Sequence, residues 1–135
     1  MKYVILLIIT FTIYACGDTG SKVEESNLLT GRFLYTHSRE VAHMNDNTVT
    51  SREVKDFVEI KKTDNGYSVR EWVIETMPPK NGKPSYDTTD LGTFTAQYEP
   101  DSKKLTALKT DVHYADDGSY IYMGDEQDEK YMRVE

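Results

Sequence analysis

From Leu28 onward, short runs of β-branched and aromatic residues alternate with polar ones and are interrupted by turn signals at roughly 10-residue spacing. Alternation with a period of two places every second side chain on one face, as in Phe94, Ala96 and Tyr98, and predicts half-buried strands. On this basis strands are expected at 31–36, 56–62, 67–74, 92–98, 105–109, 119–123 and 131–134, with a weaker one at 48–50. Asn65-Gly66, flanked by two such runs, marks the clearest hairpin. Helical spacing is not sustained over ten residues anywhere in this part; only 51–57, with Ser51 as an N-cap before Val54 and Phe57, invites a helical reading. The expectation is an all-β protein, an antiparallel meander of seven or eight strands closing on itself as a small barrel, with a β-sandwich as the alternative. Closure removes the unpaired edges that an open sheet would expose.

One stretch departs from this rhythm. Residues 77–90 hold three of the four prolines and two lysines in an otherwise acidic protein, and read as a long connection. Such connections often carry recognition. The expectation is a loop overhanging one mouth of the barrel, with Lys80 and Tyr86 as contacts, or else a plain hairpin tip.

The first residues follow a different grammar. Lys2 precedes an uncharged run over residues 3–14, then Ala15-Cys16, the three parts of a secretory signal. The run is shorter than the ~20 apolar residues needed to cross a bilayer as a helix. Ile13-Tyr14-Ala15-Cys16 resembles the lipobox of bacterial lipoproteins, although Tyr14 is bulkier than the usual occupant. The resemblance implies a signal peptide at 1–15, cleavage before Cys16, and lipidation of that residue, which is the only cysteine. Two or more acyl chains would hold the protein durably on a membrane. Small polar residues at 16–27 then read as a lipidated N-terminus and flexible tether, and 28–135 as one β domain.

Composition narrows the function classes. The chain carries 16 basic and 23 acidic residues, for a net charge of −7. Losing Lys2 with the leader would make it −8. That balance repels phosphate backbones, so no nucleic-acid partner is expected. A single cysteine rules out an internal disulfide, and apolar burial must hold the fold through Trp72 and a large complement of tyrosines. His37, His43 and His113 lack zinc-site spacing, and no nucleophile elbow or phosphate-binding glycine loop occurs. The acidic segments 116–118 and 124–129 lack the ligand spacing of a calcium loop and read as solvated hairpin tips. No catalytic residue, metal site or cofactor is therefore expected.

Leu29-Thr30-Gly31-Arg32-Phe33 resembles the Gly-x-Trp motif that opens the first strand of lipocalin-like barrels, with Phe33 in place of the tryptophan. Arg133, in Tyr131-Met132-Arg133-Val134, stands where that family carries an arginine on its last strand. The resemblance implies that Arg133 packs across the Phe33 ring and plugs one end of a miniature lipocalin-like barrel. Together these readings point to a lipid-anchored protein of the cell envelope, on the outer membrane rather than the inner. Its expected role is to bind, without catalysis, a small apolar ligand or a segment of another protein. The alternative is an inhibitor or immunity lipoprotein whose negative charge attracts a basic envelope enzyme.

Overall fold

A computed structural model describes residues 27–45 and 47–135. The leader at 1–15, Cys16 and the tether up to residue 26 lie outside the described residues. Eight strands follow one another: β1 (Gly31–His43), β2 (Thr48–Thr63), β3 (Gly66–Lys80), β4 (Lys83–Glu99), β5 (Lys104–Thr106), β6 (Val112–Tyr114), β7 (Tyr120–Met123) and β8 (Tyr131–Arg133). Each pairs antiparallel with its neighbour in sequence, and β8 returns to β1, closing the barrel. The structure is thus a closed meander and not a sandwich.

Alternation places one side-chain set inside. Phe33, Val58, Ile60, Tyr67, Val69, Ala96, Leu105, Val112, Ile121 and Met123 come from seven strands and pack with Leu29 into one core, each no more than 9% exposed. At ~1.5–3 kcal/mol per buried large apolar side chain, this core is the main stabilising term in a chain without disulfides. Tyr114 joins it edge-on to Phe33, with ring centroids 6.4 Å apart, and its hydroxyl donates to the Leu29 carbonyl at 2.7 Å. Burial pushes the Tyr114 phenol well above its ordinary pKa, so the hydroxyl remains a donor.

The wall is uneven in height. β1 to β4 run 13 to 17 residues, whereas β5 to β8 have three or four. β8 pairs with β1 only at Phe33 and Leu34, and β5 pairs with β4 only over Gln97, Tyr98 and Glu99. The rest of β1 to β4 projects as a four-stranded sheet with its two outer edges unpaired among the described residues.

Several expectations need correction. Residues 77–90 are not a long connection: β3 runs to Lys80, β4 starts at Lys83, and Asn81 and Gly82 make a two-residue turn with φ of 54° and 72°. Two successive positive φ angles define the turn that best matches strand twist, and Asn-Gly is its preferred sequence. Pro78 and Pro79 fit because the register slips between Met77 and Lys80, so a missing N–H breaks no ladder bond there. The segment 51–57 is strand, continuous with 48–50 in β2. The strand expected at 105–109 ends at Thr106, and residues 112–114 form β6, a strand the pattern did not suggest.

Candidate binding surfaces

At the end where β1 begins, Arg133 lies over Phe33, its guanidinium carbon 4.7 Å from the ring centroid. Its Nε donates to the Gly118 carbonyl at 2.7 Å and Nη1 to the Thr30 carbonyl at 2.6 Å, while Nη2 reaches the Leu28 carbonyl. Gly31 is required here. Its φ is 149°, and an added Cβ would meet the Arg133 guanidinium and lie 2.6 Å from the Glu135 carbonyl oxygen. At this end of the barrel one side chain ties three chain segments together.

The other two residues singled out from the sequence lie apart from it. Lys80 stands exposed beside the hairpin turn, opposite Lys83. Tyr86, 63% exposed on β4, lines an open groove of about 490 Å³ with Lys55, Phe57, Ile74, Thr76 and Thr88. Lys80 is not part of that lining.

A second site lies along the seam between β4 and β5, which the sequence did not reveal. Past Thr106 the chain turns away from β4, because Asp111 accepts from the Lys104 ammonium at 2.7 Å and from the Ala107 amide at 3.4 Å. The Lys104 ammonium holds the Asp111 carboxyl below the usual range, so the tie persists at neutral pH. Lys109 pairs with Glu71 and stands 5.4 Å from the Phe94 ring centroid. The turn so formed stands off β4, and Leu108 at its tip is fully exposed. Two adjoining grooves result, about 300 Å³ over Thr95, Ala96, Gln97, Thr106 and Ala107, and about 390 Å³ over Thr93, Phe94 and Lys109. Both include Thr95 and Leu108 in their lining. Beside them runs the edge of β4 from Lys83 to Ala96, which among the described residues has β3 on one side only.

The inner face of the projecting sheet is polar and internally paired. His37 contacts the Asp56 carboxylate at 3.0 Å and stacks on Tyr35, with centroids 5.3 Å apart. Glu75 accepts from Arg39 at 2.7 Å and from Arg52 at 3.2 Å. Nearby, burial and the Glu126 carboxyl raise the pKa of Glu129. Among the described residues no group of three or more His, Cys, Asp or Glu is placed to hold a metal ion.

No protein-family model, curated protein or solved structure matches this chain. Its class is defined by its own geometry: a small, filled, closed antiparallel barrel with one half of its wall extended into an open sheet.

Proposed function

We propose that this chain is a non-enzymatic binding lipoprotein of the cell envelope, anchored through lipidated Cys16, that takes up an extended segment of another protein along the free edge of β4. The observation that carries the reading is the edge from Lys83 to Ala96, unpaired among the described residues, beside the two grooves around Leu108. An extended segment added there would satisfy edge N–H and C=O groups, and its alternate side chains would fall toward the grooves. Each such hydrogen bond contributes a net ~0.5–1.5 kcal/mol, which ordering a flexible residue at ~1–2 kcal/mol roughly cancels. Affinity then rests on apolar burial against Leu108 and Phe94, and the acidic body favours a basic segment. The small-ligand version has less support, because core side chains from seven strands converge where such a ligand would sit. The lipocalin-like resemblance is supported by the closed barrel and by Arg133 over Phe33.

The test uses the full chain extracted from bacterial membranes. A photocrosslinking residue at Thr95 or Leu108 is expected to trap a discrete protein partner, whereas one at Glu53 is not. Equal trapping at all three positions, or loss of all capture between low salt and about 0.5 M, would instead favour the charge-driven inhibitor reading. Mass analysis of the N-terminal peptide is expected to show Cys16 acylated; an unmodified thiol would refute the anchor.

A further inference from the structure

The outer surface of the barrel carries an apolar row that its register makes continuous. Tyr120 pairs with Met132, Met132 with Leu34, Leu34 with Phe57, and Phe57 with Trp72. Their chain neighbours Ile121, Phe33 and Val58 are core residues, so alternation turns the row outward. It crosses β7, β8, β1, β2 and β3, a breadth of about 19 Å at ~4.8 Å per strand. Met132 is 49% exposed and the others are half-buried, in part by one another, since Phe57 and Trp72 stack 5.0 Å apart and within 2° of parallel.

Charge on this face runs against the rest of the protein. The outward positions flanking the row hold Lys130, Arg32, Lys55 and Arg70, against the carboxylates of Glu59, Asp90 and Glu135, the last 3.2 Å from the Arg32 guanidinium. With the next positions, Lys61 and Glu53, the face holds five cations to four carboxylates, a small cationic excess in a chain of net charge −7. The cations lie close to the rings: Lys130 is 4.9 Å from the Tyr120 centroid, and Arg32 and Arg70 are 5.7 and 5.5 Å from that of Trp72.

We infer that this outer face rests on an anionic lipid surface, with Tyr120 and Trp72 at headgroup level and the flanking cations against lipid phosphates. Trp and Tyr favour the water–lipid boundary, and a strip of apolar side chains edged by Lys and Arg is the pattern of interfacial binding. The inference rests on the lipid-anchor reading above. Only 10 residues lie between Cys16 and Asn27, a reach of at most ~40 Å, so an anchored barrel stays within contact distance of the bilayer. Such tethering raises the effective lipid concentration, so a weak contact suffices. β4 is the next strand after β3, which leaves its free edge at the border of the contact surface.

Trp72 is the only tryptophan and so reports on this face directly. The full chain, reconstituted from detergent into phosphatidylcholine vesicles with and without phosphatidylglycerol, is expected to pellet with both. With phosphatidylglycerol its emission should shift to the blue and be quenched by nitroxide-labelled lipid, while aqueous acrylamide loses access. Met132→Glu should abolish the lipid quenching while the protein still pellets. Lys130→Glu should weaken docking about fivefold or more, the change one cation near anionic lipid supplies. Circular dichroism checks that both variants keep the strand spectrum. Protein that pellets with Trp72 unshifted and open to acrylamide overturns the docking alone, and protein left in the supernatant overturns anchor and docking together.

Discussion

Replacing Arg133 by methionine tests how the barrel end is held. The guanidinium donates to three backbone carbonyls, of Leu28, Thr30 and Gly118, and the first two lie more than 100 positions away in the chain. Hydrogen bonds from a charged donor contribute ~1.5–3 kcal/mol when shielded. The Leu28 contact is open to solvent and the other two only half-buried, so about 1 kcal/mol apiece is the appropriate scale. Stacking over Phe33 adds about 0.5–2 kcal/mol. Methionine keeps an apolar stem against the ring and loses the rest, so Arg133→Met is expected to destabilise by about 3–5 kcal/mol, a large share of the ~5–15 kcal/mol that holds a typical domain. Urea unfolding followed by Trp72 emission gives the value, with an unchanged slope showing that the unfolded state is the same. Arg133→Lys retains a cation but not the three-way fork, and should fall midway. A cycle with Phe33→Leu should isolate a coupling of about 0.5–2 kcal/mol for the ring contact. A loss below about 1 kcal/mol for Arg133→Met would mean that water serves the three carbonyls equally well, and the plug would be no more than a rim cation.

Glu129→Gln should raise stability at neutral pH. Burial and Glu126 raise the folded-state pKa of Glu129, so its ionised form opposes folding; stability is full below the unfolded pKa near 4.5 and falls as pH rises through the folded value. Thermal melts should show the gain at pH 7 and none at pH 4. Leu105→Ala removes a fully buried side chain from one of the short strands and should cost about 2–5 kcal/mol by urea titration. Asn81→Val forces a β-branched residue to a φ of 54°, a strain of about 1–2 kcal/mol. Hydrogen exchange should locate its effect in the β3–β4 hairpin tip and leave the core amides unchanged.

The strand rhythm was legible because alternation is a local property, and it located most of the wall. Heights and partners were not legible, since they depend on register. The runs at 31–36, 56–62 and 67–74 lengthen into β1, β2 and β3 because their polar continuations, Arg39, Arg52 and Glu75, pair across strands. Asn81-Gly82 carried the same signal as Asn65-Gly66, but the flanking prolines masked it; only the register slip after Met77 shows how they are accommodated. β6 leaves no trace in the pattern because three residues are too few for a period to register. Phe33 and Arg133 could be singled out from a short motif at each end of the domain. The seam at Leu108 depends on Asp111 drawing a turn away from β4, a tertiary effect with no periodic trace.

The unequal wall also divides the molecule mechanically. Below, all eight strands share one packed interior and must separate together; above, four long strands rely on lateral pairing and interlocked charges, with nothing among the described residues bracing their outer margins. Such a rim can flex, fray or accept an additional strand while the base remains shut, so the protein can remodel its upper half without approaching global unfolding.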